Sequence, residues 1–189
     1  LFGRVRAEEA EGREDMPLVG LVYRFMPVGV PFNGGADMVL RYPVGFERPE
    51  RLGGYERAED STWTLVGNQL DLEGGTVAAK VAHFSTYALL LDEVPPEVAE
   101  LRPAGGMEVE ERRPLLGATV RDRGSGIGRE EDIRMLLDDR RMIFEYDPEE
   151  DRVVAQPKQP LRPGIHRLEV TVRDMCGNET RQTSSFTIR

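Results

Sequence analysis

Glycine and proline interrupt this chain so often that few of its apolar segments have room for a helix. Among the 189 residues are 20 glycines and 13 prolines. In the first half, apolar runs such as LVGLVYRFM, DMVLRYPV, STWTLVG and TVAAKV alternate with turn clusters such as GVPFNGG, ERPERLGG and GNQLDLEGG. Short apolar runs at this spacing, with no helical periodicity, are typical of β-strands. The sequence therefore predicts an all-β fold.

The second half shows the alternation of strands that bury one face. Residues 116–120 and 168–172 alternate apolar side chains with charged, hydroxyl or glycine positions. Residues 132–139 (DIRMLLDD) have the composition of a short helix, but the turn residues around them favour a strand. Turn signals near Pro148 and Pro163 separate further strands. These features predict a seven-strand sandwich.

The length of the chain and a pair of adjacent prolines predict two domains. A chain of 189 residues accommodates two domains of about 100 residues. The adjacent Pro95 and Pro96 cannot donate to a strand ladder, so we expect a β-sandwich over 1–93, a linker over 94–97 and a second sandwich over 98–189. The apolar-poor stretch 8–15 (EEAEGRED) predicts an exposed lead-in.

Charge and apolar run length argue against two classes of partner. A net charge of −9 would repel a phosphate backbone, which argues against nucleic acid. The longest apolar run, Tyr87–Leu91, is far shorter than a membrane span. The chain begins with Leu1 and shows no export signal, so we expect a fragment of a larger protein. The lone Cys176 cannot form an intramolecular bridge and does not identify a compartment.

The motifs of residues 115–189 resemble the bacterial immunoglobulin-like modules that occur in tandem on large surface and secreted proteins. The resemblance lies in residues 120–127 (VRDRGSGI), 136–139 (LLDD), 160–166 (PLRPGIH) and 170–178 (VTVRDMCGN). Such modules usually carry a small residue where this chain has Cys176, which implies a packing role for it. The resemblance implies an immunoglobulin-like fold and an extracytoplasmic location: cell surface, periplasmic or secreted.

Two aspartates and an asparagine in these motifs are candidate structural residues. Asp122 and Asp174 each end a strand before a glycine-containing turn, where a carboxylate accepts backbone N–H bonds. We therefore interpret Asp122, Asp174 and Asn178 as turn residues. Their oxygens would also suit calcium joining the two loops, but the dense ligand spacing of a calcium loop is missing. We expect no cofactor, with structural calcium as the alternative.

The first half resembles a β-sandwich of bacterial surface proteins related to the ZU5, FIIND and GAIN families. The matching features are residues 22–32 (VYRFMPVGVPF), the single Trp63 and the ending 83–90 (HFSTYALL). In self-cleaving members, a His-Leu/Phe-Ser/Thr tripeptide is cut before its hydroxyl residue. The resemblance makes His83, Phe84 and Ser85 candidate catalytic residues for self-cleavage.

The chemistry of such a cut is an N-to-O acyl shift. The Ser85 hydroxyl would attack the Phe84 carbonyl, His83 would take the proton, and water would hydrolyse the resulting ester. The fold would have to distort the peptide bond and donate a hydrogen bond to the oxyanion. The alternative is a purely structural role. In a regular strand over 77–91 the odd-numbered residues form the more apolar face, so His83 and Ser85 would be buried. They would then need hydrogen bonds to each other or to the backbone.

Other polar groups give weaker signals. His166 has no metal-spaced partner and is interpreted as a surface or cap residue. Gly124-Ser125-Gly126 lacks the setting of a nucleophile elbow. The mixed-charge run 47–60 predicts a solvated face or a modest protein contact.

The sequence as a whole predicts a non-catalytic structural, adhesion or partner-binding module of a larger exported or cell-surface bacterial protein. Its partners would be neighbouring domains of the same chain or another protein. Two alternatives stay open: a domain that cleaves itself between Phe84 and Ser85, and the accessory region of an extracellular hydrolase.

Overall fold

A computed structural model describes residues 4–8 and 12–189 and divides the chain into two compact units. The first comprises Leu1–Val94 with Met175–Gly177, and the second comprises Pro95–Asp174 with Asn178–Arg189. Both are built from β-strands, and the helical segments of the described ranges are two three-residue 3-10 turns, Pro49–Arg51 and Glu130–Asp132. The prediction of an all-β chain with two sandwiches in tandem is confirmed.

The first unit contains a five-stranded and a three-stranded sheet. Its strands are β1 (Arg4–Glu8), β2 (Leu18–Met26), β3 (Pro31–Arg41), β4 (Leu52–Arg57), β5 (Trp63–Gly67), β6 (Gln69–Asp71), β7 (Thr76–His83) and β8 (Thr86–Leu91). The larger sheet has the order β1-β2-β8-β4-β5 and the smaller one the order β3-β7-β6. All pairs are antiparallel. The bounds of β2 coincide with the predicted run LVGLVYRFM.

Three of the predicted turn clusters contain strand residues as well as turns, so these predictions are too broad. The start of β3 lies in GVPFNGG, β4 begins in ERPERLGG, and β6 lies in GNQLDLEGG. The glycines of β4 and β5 serve packing rather than a turn. A Cβ on Gly53 would lie 2.6 Å from the Tyr55 ring, and one on Gly67 would lie 2.8 Å from the Ala79 side chain. Only residues without a Cβ fit there, so glycine in this half does not always signal a turn.

The five-stranded sheet of the first unit buries both of its faces. The larger core lies between the two sheets. It contains Tyr87 and Leu89 of the five-stranded sheet and Met38 and Val77 of the three-stranded sheet. The other face carries a second cluster of Met16, Val22, Tyr55, Trp63, Ala88 and Leu90. The central strand β8 therefore contributes side chains to both clusters.

The second unit is an immunoglobulin-like sandwich of nine strands. These are β9 (Glu97–Arg102), β10 (Glu108–Val109), β11 (Leu116–Arg121), β12 (Ile133–Leu137), β13 (Arg140–Arg141), β14 (Glu145–Asp147), β15 (Arg152–Ala155), β16 (Gly164–Arg173) and β17 (Glu179–Ile188). The sheets have the orders β10-β17-β16-β12-β13 and β14-β15-β11-β9. A single core lies between them. The strand count exceeds the expected seven because β10 and β13, with two residues each, are too short to show in the sequence.

The segment DIRMLLDD forms the strand that the sequence favours, over Ile133–Leu137, and its last two aspartates form a tight turn. Leu137 pairs with Arg140, so Asp138 and Asp139 alone connect β12 to β13. Their φ angles are 50° and 63°. Positive φ at both positions is the geometry of a type I′ hairpin turn, which aspartate tolerates better than most residues.

The predicted lead-in over 8–15 falls partly outside the described residues, which omit 9–11. Beyond that gap, Arg13 pairs with Met16 in an isolated bridge, and Asp15 is exposed. Among the described residues, no helix has the length and apolar character to cross a membrane.

Candidate functional site

The tripeptide His83-Phe84-Ser85 lies where the chain leaves one sheet and enters another. His83 ends β7 of the three-stranded sheet, and β8 of the five-stranded sheet begins at Thr86. The prediction of one regular strand over 77–91 is therefore wrong, and of the two residues that it would bury, Ser85 is buried and His83 is not. Alternation holds along β7, but in β8 consecutive residues from Tyr87 to Leu91 are all buried.

His83 is not a core residue, because its strand ends at it. Its side chain is 39% exposed, and its Nε2 lies 3.6 Å from a carboxylate oxygen of Glu56. Its Nδ1 lies 3.5 Å from the Tyr87 hydroxyl, which donates a 2.8 Å hydrogen bond to the His83 carbonyl. Glu56 belongs to the charged run that the sequence assigns to a solvated face. Pairing β4 with β8 places it opposite Tyr87 and beside the imidazole instead.

Tyr87 holds the strand break from the β8 side. Burial, and then the negative charge of Glu56, raise the pKa of Tyr87 to about 12. The phenol therefore keeps its proton at neutral pH and remains a donor to the His83 carbonyl. This bond joins His83, the last residue of β7, to Tyr87, the second residue of β8.

Ser85 is buried but does not hydrogen-bond to His83 through its side chain. The residue is 5% exposed, and its carbonyl accepts a 2.9 Å bond from the Phe25 N–H. Within residues 4–8 and 12–189, no hydrogen bond joins the Ser85 hydroxyl to the His83 ring. The imidazole instead contacts Glu56 and Tyr87, so the arrangement does not present a preformed base and nucleophile.

The carbonyl of Phe84 receives a main-chain donor that the sequence did not reveal. The Gly29 N–H donates to it at 2.7 Å, and the Phe84 N–H donates to the Val30 carbonyl at 3.0 Å. The Phe84 ring packs edge-to-face on Phe32, with centroids 4.8 Å apart. An N–H aimed at the carbonyl that Ser85 would attack is the kind of group that stabilises an oxyanion. A main-chain donor has no side-chain signature, although Gly29 lies inside the VYRFMPVGVPF motif.

A cavity of about 380 Å³ lies beside this strand break. Aromatic rings of Phe25, Phe32, Phe84 and Tyr87 line it, together with β3 residues 36–40. The ionisable residues in its lining are His83, Asp37 and Tyr87. The cavity is therefore mainly apolar, and the edge strand β3 forms part of its wall.

The predicted turn residues of the second unit accept backbone hydrogen bonds. One Asp122 oxygen accepts from the N–H groups of Gly124 and Gly126, at 3.0 and 2.6 Å. Asp174 is 3% exposed and accepts from the backbone N–H and the side-chain amide of Asn178, at 2.8 and 2.7 Å. The bond from the Gly124 N–H to Asp122 is that of an Asx turn, and Asp174 closes a wider turn by accepting from Asn178. The calcium alternative stays a prediction.

His166 is a bonded cap rather than a solvated residue. Its Nδ1 lies 2.7 Å from an Asp138 oxygen and its Nε2 lies 2.8 Å from the Arg162 carbonyl. Both partners are acceptors, which favours the ring with a proton on each nitrogen. Burial disfavours the charged ring, but these hydrogen bonds and the Asp138 charge outweigh it and raise the pKa of His166.

No family model matches the chain, and no curated protein matches it. Solved structures that are similar include CopC from Methylosinus trichosporium OB3b, with 11% identity, a TM-score of 0.38, and coverage of 49% of this chain and 92% of CopC. The fibronectin(III)-like modules of Clostridium thermocellum CbhA show 17% identity, a TM-score of 0.39, and coverage of 89% and 94%. Dimeric latent PorU from Porphyromonas gingivalis shows 14% identity, a TM-score of 0.38, and coverage of 99% and 24%, so this chain spans about a quarter of it. The assignment of both units as sandwiches rests on their own strand pairing.

Proposed function

We propose that this chain is a non-catalytic structural or partner-binding module of a larger exported or cell-surface bacterial protein. The observation that carries the proposal is the bonding at the Phe84–Ser85 strand break. The Tyr87 hydroxyl, the Gly29 N–H and the Phe25 N–H each bind a carbonyl of the tripeptide, and the imidazole contacts Glu56. These groups hold the chain where it passes between two sheets.

The resemblance to bacterial surface modules supports the location and the partners. Residues 115–189 resemble bacterial immunoglobulin-like modules in their motifs, and residues 18–91 resemble the ZU5, FIIND and GAIN relatives. Modules of this kind act by holding neighbouring domains apart and by offering loops and sheet edges to partners. The proposed compartment is therefore extracytoplasmic, and the proposed partners are other domains of the same chain or another protein.

Self-cleavage between Phe84 and Ser85 is the second candidate, favoured by the Gly29 N–H at the Phe84 carbonyl. In that reaction the Ser85 oxygen bonds to the Phe84 carbonyl carbon, and the hydroxyl proton is transferred to the Ser85 nitrogen. The bond between that carbon and the Ser85 nitrogen breaks, so the amide becomes an ester with a free amine. Water then cleaves the ester and leaves a new carboxyl group on Phe84. For this to occur, the His83 ring must turn from Glu56 toward Ser85, or another base must replace it.

The mass of the purified chain under denaturing conditions separates the two candidates. We expect one species of 21.3 kDa over days at neutral pH, because within the described residues the His83 ring contacts Tyr87 and Glu56 and does not hydrogen-bond to the Ser85 hydroxyl. Ser85→Ala is the matched control, since it keeps the backbone bonds of the strand break and removes the nucleophile. Two fragments divided between Phe84 and Ser85 in the parent chain, and none in Ser85→Ala, would overturn the non-catalytic proposal.

A further inference from the structure

The outer edge of β3 has no strand beside it among the described residues. β3 is the end strand of the β3-β7-β6 sheet and pairs only with β7. The Tyr42 N–H bonds to the Gly75 carbonyl, which continues the β3–β7 ladder past the last paired residue. Because antiparallel ladders alternate, the N–H and C=O groups of Asp37, Val39 and Arg41 point away from β7. The regular part of this edge therefore offers its main-chain groups to another strand.

The side chains of these three residues share the solvent face of the strand. Asp37 is 63% exposed and Val39 is 57% exposed, whereas Met38 and Leu40, which alternate with them, are each 6% exposed. Asp37 forms an ion pair with Lys80, and the Arg41 guanidinium donates to the Gly74 carbonyl at 2.8 Å. Both charged groups are held near the strand and retain further hydrogen-bonding atoms.

The spacing of these residues is self-complementary. In an antiparallel pair of β3 strands with a two-fold axis at Val39, Asp37 of one copy lies opposite Arg41 of the other, and Val39 lies opposite itself. Each of these three facing pairs would exchange two main-chain hydrogen bonds, so the outward groups of both edges are satisfied together. Opposite charges directly across a pair stabilise it, and like charges destabilise it.

We propose that two copies of this chain associate through antiparallel β3 edges centred on Val39. Charged residues often protect an edge from pairing, but here the two signs are spaced to match in a second copy. The pairing is short. Positive φ at Gly34 and Gly35 interrupts the β3–β7 register before Ala36, and the strand ends at Arg41. A ribbon of this length buries little area, so we expect a weak homodimer.

Sedimentation equilibrium of the whole chain, from about 10 micromolar to about 1 millimolar, tests the proposal. We expect a monomer of 21.3 kDa to convert to a dimer as concentration rises. Asp37→Arg alone and Arg41→Asp alone each place like charges opposite each other, and each should weaken the dimer at least about tenfold. An equal mixture of the two variants places only opposite charges across the ribbon and should restore association.

Two further variants separate the edge contact from net charge and from misfolding. Glu59→Arg makes the same change in charge as Asp37→Arg in the exposed β4–β5 loop and should leave the dimer unchanged. Val39→Pro removes an N–H that points away from β7, so circular dichroism should show an intact fold while association is lost. A monomer at every concentration, a dimer that survives both single reversals, or a mixture that stays monomeric would overturn the proposal. So would a chain that remains monomeric while its β3 edge binds an extended segment of a different protein.

Discussion

The two units bury their apolar side chains in different ways. The second unit has one core between two sheets, and its strands contribute alternate residues to it. In the first unit, the five-stranded sheet has an apolar cluster on each face. Tyr87, Leu89 and Leu91 of β8 belong to one cluster, and Ala88 and Leu90 belong to the other. A strand buried on both faces leaves no polar face to define its register.

This difference determines how well the alternation of apolar residues in the sequence predicts which residues of a strand are buried. In β16, Leu168, Val170 and Val172 face the core as expected. The residues between them are buried as well: Glu169 is 3% exposed because Arg167 and Arg181 cover it with ion pairs. Long arginine side chains can cover a sheet face while their charges reach solvent. Alternation therefore identifies the core face of β16 correctly without identifying its solvent-exposed residues.

The largest expected effects come from truncating one leucine in each unit. Leu90→Ala removes a side chain with 0% exposure from the second cluster of the first unit, and Leu168→Ala does the same in the core of the second unit. Each should lower the free energy of unfolding of its own unit by about 2–5 kcal/mol. Amide hydrogen exchange of the whole chain would measure the lost protection unit by unit.

Leu115→Ala is the matched control, because Leu115 is 64% exposed and should change stability little. If the second cluster of the first unit, which contains Leu90, is a minor contact rather than a core, Leu90→Ala will change stability as little as Leu115→Ala does. That result would contradict the two-faced burial of β8.

The fold was predictable where side chains carry the signal. The run 18–26 gives β2 with its observed bounds, and the segment DIRMLLDD contains the strand that its flanking turn residues favour. The site was less predictable, because its bonds are mostly between main-chain atoms. The Gly29 N–H donates to the Phe84 carbonyl, and the Tyr87 hydroxyl donates to the His83 carbonyl. Every residue type has a main-chain carbonyl, so the sequence does not show which ones accept these bonds. The change of sheet at Phe84–Ser85 is also invisible, since a continuous apolar pattern looks the same whether or not the chain stays in one sheet.

A smaller effect should distinguish a buried turn in the second unit from an exposed turn in the first. Asp174, at 3% exposure, accepts two hydrogen bonds from Asn178, whereas the exposed Asp71 accepts one from the Gly74 N–H at 2.9 Å. Asp174→Ala leaves donors in a buried setting and should cost about 1–3 kcal/mol, while water replaces the lost acceptor in Asp71→Ala. Denaturant unfolding of both variants measures the difference, and equal losses would contradict it.

The smallest expected effect concerns the two histidines. His166 in the second unit is 11% exposed at its side chain and has an acceptor within 2.8 Å of each ring nitrogen. His83 in the first unit is 39% exposed, and its polar contacts are 3.5 and 3.6 Å long. The raised pKa of His166 means that the folded state binds its proton more tightly than the unfolded chain does.

The stabilisation from this proton is therefore complete below the ordinary histidine pKa of about 6.5 and is lost as pH rises through the higher pKa of the folded state. His166→Ala should therefore cost more stability at pH 5.5 than at pH 8.5, in addition to a pH-independent loss of contact with Phe186. Denaturant unfolding at both pH values, with His83→Ala as the control for a missing imidazole, measures this difference. If the loss from His166→Ala is the same at both values, folding does not change the proton affinity of the His166 ring, and the expected stabilisation by this proton is contradicted.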